Sequence, residues 1–225
     1  MQSPVIQYSQ TIARQIGIIL MRFRRIRRTQ QIGICRGTEQ RGRPVFSGEE
    51  FVGTGIIVCG LNGTGKSTLG KVLAKRLNFH FIDSESLYFL MEDPLYIYAY
   101  PRTHEEAAKL LFNEIKIYEN FVLTSVKGDY GEWFYPYLQY AVLVDVPRDT
   151  RIQRVKNRSF QKFGDRILPD GDLHEQEKNF FNFVQSRAED IVEEWLQSLS
   201  CPIIRVDGTK SIEENTKLII EQIKL

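Results

Sequence analysis

From residue 55 onward the chain alternates two patterns of apolar and polar positions. Short, largely apolar runs occur at Gly55–Cys59 (GIIVC), 79–82 (FHFI), Phe121–Ser125 (FVLTS), 140–146 (YAVLVDV) and 203–206 (IIRV). Between them lie longer stretches in which apolar residues recur every three or four positions, the period of a helix with one buried face. These stretches predict helices over Lys66–Leu77, 103–119, 149–158, 172–199 and 211–223. Two of them open with a capping box, Thr103 with Glu106 and Ser211 with Glu214, in which each side chain satisfies a backbone N–H at the helix start. Short buried strands joined by helical crossovers form a parallel sheet covered on both faces, so the fold class is α/β.

The join between the first strand and the first helix carries the clearest chemistry. Gly60-Leu61-Asn62-Gly63-Thr64-Gly65-Lys66-Ser67 fits G-x-x-x-x-G-K-[ST], and Thr68 follows inside the helix. Glycines let successive backbone N–H groups turn inward, and the helix start adds free donors and the positive end of its dipole. Such a loop cradles a polyphosphate. Lys66 would reach the β- and γ-phosphates, and the Ser67 hydroxyl would ligate Mg²⁺ between them. A glycine turn that merely packs tightly has no need of Lys-Ser at that place.

Two more features sit where ligands of open α/β sheets bind. Asp83 ends the second strand, where a carboxylate either orients Mg²⁺ and an acceptor hydroxyl or simply caps the next helix. Arg151, Arg154 and Arg158 recur at helical spacing after the fourth strand. They form either a charge-neutralising row for phosphoryl transfer or a solvated basic face.

Composition narrows the class. With 42% apolar and 26% charged residues the chain is that of a globular protein, and its apolar run at 16–21 is cut short by Arg22, Arg24 and Arg25, so no membrane span is expected. The net charge of +2 divides unevenly: residues 1–50 hold nine arginines, no lysine and three acids, leaving a mildly acidic remainder. This arm lacks sustained periodicity and apolar content, and reads as disordered. It is a tail or upstream extension, an arginine-rich organellar leader, or a polybasic contact to nucleic acid or anionic membrane. Three cysteines, Cys35, Cys59 and Cys201, show neither a disulfide framework nor metal-ligand spacing, which fits a cytoplasmic protein.

The stretch DVPRDTRIQRVKNR, 145–158, is similar to the adenylate kinase pattern, and FHFIDSESLYF, 79–89, resembles shikimate kinase with Asp83-Ser84-Glu85 at its acidic pair. The chain thus resembles the adenylate kinase and shikimate kinase branch of P-loop small-molecule kinases over residues 55–223. The resemblance implies a five-stranded parallel sheet of order 2-3-1-4-5, an acceptor-binding insert near 84–120, and a lid near 159–172, all within a domain spanning 51–225. It further implies Arg154 against the adenine and phosphates, Arg158 facing the transferring group, Asp83 and Glu85 on the metal and substrate sides, and Asp207, Gly208 and Thr209 passing the adenine. The sequence departs from those families after strand three, where Lys127-Gly128-Asp129 replaces their motifs, and it lacks an Asp-Gly-Tyr-Pro-Arg segment.

The reading is therefore an ATP- and Mg²⁺-dependent kinase acting on a small-molecule acceptor. Lys66, Asp83, Arg154 and Arg158 are the catalytic candidates. Gly60, Asn62, Gly63, Thr64, Gly65, Lys66, Ser67, Thr68, Arg154 and Gly208 would bind the nucleotide. Ser67 and Asp83 would hold the metal, and Arg102, Lys127 and Asp129 would lie on the acceptor side. The alternative is an ATP-binding regulatory module without a small-molecule acceptor. Nucleic acid enters only as a partner of the arm, and oligomeric state is not read from the sequence.

Overall fold

The computed structural model describes residues 53–90 and 96–224. The basic arm at 1–50 and the middle of the expected insert, 91–95, lie outside the described residues. Five strands form one sheet: β1 (Gly55–Cys59), β2 (His80–Asp83), β3 (Phe121–Ser125), β4 (Tyr140–Asp145) and β5 (Ile203–Asp207). Their order is β2-β3-β1-β4-β5 and every pairing is parallel, the topology expected above. β1 is central, with Val58 level with Thr124 on β3 and Val142 on β4.

All five residues of β1 are buried, because helices cover both faces of the sheet. Ile57 and Cys59 point into one core with Leu111, Ile115, Trp195 and Leu196, while Ile56 and Val58 point into the other with Leu69, Leu73 and Ile219. The alternation places successive side chains in opposite layers. Each fully buried aliphatic side chain contributes about 1.5–3 kcal/mol. Burial also pushes the Cys59 thiol up to about 12, so it behaves as a small apolar residue.

The helices are α1 (Lys66–Leu77), α2 (Ser84–Tyr88), α3 (His104–Ile117), α4 (Arg148–Phe163), α5 (His174–Ser186), α6 (Ile191–Leu196) and α7 (Ile212–Gln222). Both expected capping boxes are formed, at Thr103 with Glu106 and at Ser211 with Glu214. α1 stops on Asn78, whose left-handed backbone (φ 56°) directs its N–H to Ala74 and Lys75. The Phe79 N–H turns back to the Ala74 carbonyl, so β2 begins one residue later than its apolar run.

Two expectations change. The periodic stretch 172–199 is two helices, because Arg187 adopts extended backbone (φ −67°, ψ 131°) after α5. The break is held from outside: Arg187 donates to Asn62 Oδ1 at 3.1 Å, and Glu189 accepts from Arg151 Nη2 at 2.5 Å. The expected lid at 159–172 is also shorter as a loop, since α4 continues to Phe163. A 3-10 turn at Gly164–Ile167 follows, closed by a two-pronged Arg166–Asp172 pair at 2.9 and 2.7 Å.

Candidate functional site

The glycine loop leaves β1 at the carboxyl edge of the sheet. Gly63 and Gly65 have φ of 85° and 89°, a region that side chains with a Cβ enter at a cost of about 1–2 kcal/mol. A Cβ on Gly63 would stand 2.3 Å from the Arg151 carbonyl oxygen, so the loop is pressed against the start of α4. Helix α1 begins at Lys66 with no side-chain cap and no acid in its first turn. Among the described residues no hydrogen bond takes the N–H groups of Gly63, Gly65, Lys66, Ser67 or Thr68. Free donors and an uncompensated helix dipole at one place constitute an anion site.

Residues around the loop hold its shape. Thr64 is buried and its hydroxyl donates to the Leu61 carbonyl at 3.0 Å, so only its backbone faces a ligand. Asn62 is fixed from two sides, its side-chain oxygen by Arg187 and its carbonyl by Arg151 at 3.5 Å. Arg151, 3% exposed, also donates to the Val146 carbonyl at 3.1 Å. The row of three arginines therefore divides: Arg151 is a structural strut beneath the loop, and Arg154 and Arg158 remain beside it.

Lys66 is where the remaining candidates meet. Burial pushes its ammonium down to about 8, Glu85 and Asp83 hold it up in part, and Arg158 and Arg187 press it lower. Asp83 Oδ1 accepts the Glu85 N–H at 3.1 Å, the capping arrangement of α2. Glu85 in turn has Oε1 at 3.7 Å from Arg158 Nη1 and Oε2 at 3.3 Å from the Tyr98 hydroxyl. Elements α1, β2, α2 and α4, together with the residue after α5, thus bring a lysine, two acids and two arginines into electrostatic reach of one another.

The loop after β5 closes the other side. Arg154 Nη1 donates to the Gly208 carbonyl at 3.0 Å. A Cβ on Gly208 would lie 2.8 Å from the Thr64 carbonyl and 2.5 Å from Val146, so that loop rests directly on the glycine loop. Asp207 Oδ1 accepts from the Thr209 N–H and hydroxyl at 2.8 and 2.6 Å, which fixes the turn.

The three acceptor-side candidates are engaged within the protein. Arg102 donates to the carbonyls of Ser86 and Leu87 at 3.0 and 3.1 Å, clamping the end of α2. Lys127 pairs with Asp129 at 2.9 Å, and Ser125 braces that loop by donating to the Lys127 carbonyl. Sequence reasoning missed Arg187, whose guanidinium is drawn down to about 10 by burial and stacks on Phe183 at 4.7 Å. Its only sequence signal is a lone arginine in a helical pattern, 125 positions from Asn62.

A metal would find a sparse donor set here. Among the described residues no three His, Cys, Asp or Glu side chains converge. One hydroxyl, Ser67, and one carboxylate, Asp83, suit Mg²⁺, which keeps waters and takes most of its other ligands from substrate phosphates. The residues present fit that ion.

A family model described as an AAA domain matches residues 56–166. A Bacillus subtilis (strain 168) protein, "Uncharacterized protein YqaC", is 30% identical over 176 residues, covering 74% of this chain and 95% of that protein. Among solved structures, the chain is similar to shikimate kinase from Aquifex aeolicus vf5, at 17% identity and a TM-score of 0.45, covering 75% of this chain and 95% of the other. Shikimate kinase from Bacteroides thetaiotaomicron gives 18% identity and a TM-score of 0.48, covering 76% and 99%. A sugar kinase from Janibacter sp. HTCC2649 gives 14% and 0.44, covering 75% and 93%.

Proposed function

The chain belongs to the P-loop family that includes YqaC of Bacillus subtilis, and from that premise we propose that it is an ATP-dependent phosphotransferase with a small-molecule acceptor. The observation that carries this reading is the convergence on Lys66. Lys66 of the glycine loop, Asp83 at the end of β2, Glu85 on α2, Arg158 on α4 and Arg187 just after α5 share one electrostatic cluster. A nucleotide-binding module needs the loop and the lysine. It has no use for Glu85 placed between Arg158 and a tyrosine.

Each residue has a role in this reading. The backbone N–H groups of Gly63, Gly65, Lys66, Ser67 and Thr68 bind the β- and γ-phosphates, and Lys66 neutralises them. Ser67 and Asp83 would hold Mg²⁺, which would offset the negative charge of the phosphates. Arg154, tied to Gly208, borders the nucleotide, and Arg158 and Arg187 face the transferring group, where charge spreads over the equatorial oxygens. Glu85 orients the acceptor hydroxyl and takes its proton. Segment 159–172 acts as a lid that excludes water.

The test is Lys66→Ala. Acceptor-dependent ADP release should disappear while the far-ultraviolet circular dichroism spectrum stays that of the wild type. Undiminished transfer by the folded variant would overturn the mechanism. ATP binding with no acceptor-dependent turnover in the wild type would instead support the regulatory module.

A further inference from the structure

A buried acid stands outside the phosphate cluster. Glu177 on α5 is 1% exposed, and its Oε1 accepts from the Tyr96 hydroxyl at 2.8 Å. Its Oε2 is buried without a hydrogen-bond partner. Leaving a buried carboxylate oxygen unsatisfied is costly, and native cores do so rarely and usually for a reason. A leucine or methionine would fill the same space without that cost.

Glu177 is joined to the proposed catalytic cluster through a wall of rings. Tyr96 packs against Tyr98 at 5.6 Å and against Phe163, the last residue of α4, at 5.4 Å. Tyr98 in turn donates to Glu85. Both tyrosine hydroxyls are held un-ionised, since burial and the adjoining acids raise them well above the usual phenol range. They are donors here, and the acids accept.

The cations nearby are already occupied. Arg158 faces Glu85, Arg102 holds the end of α2, and Lys127 pairs with Asp129. Lys162 donates to the Tyr98 hydroxyl at 2.9 Å and sits 4.6 Å over its ring. An acceptor bearing a phosphate or carboxylate would meet the two carboxylates of Glu85 and Glu177, while Arg158, Arg102, Lys127 and Lys162 each already have a partner among the described residues. One bearing O–H or N–H donors would supply what Glu177 Oε2 lacks.

We propose that Glu177 is a specificity-determining residue of the acceptor site, and that the acceptor is an uncharged ring compound carrying an alcohol and further hydrogen-bond donors. The inference rests on the phosphotransferase reading above. In the reaction the acceptor oxygen forms a bond to the γ-phosphorus, the bond from that phosphorus to the β,γ-bridging oxygen breaks, ADP departs, and the alcohol proton passes to Glu85. Tyr96 and Tyr98 provide faces and edges for the ring, and Glu177 accepts from its donors. Nucleosides and free sugars both have this chemistry.

The experiment measures ADP release and phosphorylated product for the full chain with ATP and Mg²⁺ across four arms: nucleosides, monosaccharides, nucleoside 5′-monophosphates and small hydroxy acids. An uncharged arm should exceed both anionic arms by at least tenfold in kcat/KM, and the stronger of the two uncharged arms identifies the source. Glu177→Gln, which places an amide donor beside the acceptor's donors, should reduce that preference by about 10–100-fold. It should leave the Kd for ATP unchanged, since Glu177 lies apart from the glycine loop. Preferential turnover of either anionic arm would overturn the acceptor inference and leave the phosphotransferase reading standing. Unaltered preference in a folded Glu177→Gln protein would overturn the role of Glu177. ATP binding with no turnover in any arm would remove the phosphotransferase reading itself.

Discussion

Arg158 Nη1 stands 3.7 Å from Glu85 Oε1, which ties the middle of α4 to the first turn of α2 beside Lys66. The arginine and the acid are thus within ion-pair distance of each other. In the proposed reaction a triphosphate would compete for the arginine and release the carboxylate to act as a base. Glu85→Gln should therefore lower kcat by about 10²–10⁴-fold. The Kd for ATP should change far less, and single-turnover kinetics separate the two. Equal losses in binding and turnover would place Glu85 in nucleotide binding instead.

Arg151 and Arg154, three positions apart, should fail differently. Arg151→Met leaves the carbonyls of Val146 and Asn62 without that donor and leaves Glu189 only its longer pair with Arg148, at a cost of about 1–3 kcal/mol in urea unfolding. Arg154→Ala removes a bond to the Gly208 carbonyl at a half-buried position, so stability should change little while ATP binding weakens. Denaturation and calorimetry on the pair read the contrast directly.

That contrast also marks what was legible in the sequence. The sheet order was implied by the resemblance to P-loop kinases and not by periodicity. The strands, the position of the glycine loop and both capping boxes were readable because each follows from local periodicity or a contiguous motif. The division of labour among Arg151, Arg154 and Arg158 was not, since spacing puts all three on one face and only tertiary partners separate them. The break at Arg187 carries no glycine or proline. It is imposed by Asn62 and by the pairing of Glu189 with Arg151, contacts remote in sequence. Glu177 looked like any polar residue of an amphipathic helix, because the rings that bury it come from other segments.

Gly63→Ala should damage the loop more than its volume suggests. The backbone there sits at φ 85°, and the new methyl would meet the Arg151 carbonyl at 2.3 Å. The left-handed strain alone costs about 1–2 kcal/mol, and the clash must displace the loop from α4. Loss of both thermal stability and ATP affinity is expected, whereas Gly65→Ala, with nothing within 4 Å of its Cβ, should incur the strain without the clash.

The titration of Lys66 gives a pH signature. Burial lowers its pKa from 10.5 to about 8 in the folded chain, so between those values the unfolded state binds more protons than the folded one. The destabilising effect of the buried charge is complete below about 8 and is relieved as pH rises toward 10.5. Nucleotide binding runs the other way, because triphosphate favours the charged ammonium. ATP affinity should fall as pH rises through about 8, with proton uptake on binding in that window. Calorimetry in buffers of different ionisation enthalpy detects the uptake, and Lys66→Arg should abolish it.

Calorimetric titration of the folded full chain with ATP, with and without Mg²⁺, tests nucleotide binding at the glycine loop. Saturable, magnesium-dependent binding of one ATP per chain is expected, and it should vanish in a folded Lys66→Ala variant. A folded wild-type chain that shows no binding of ATP in the presence of Mg²⁺ would contradict the proposed function.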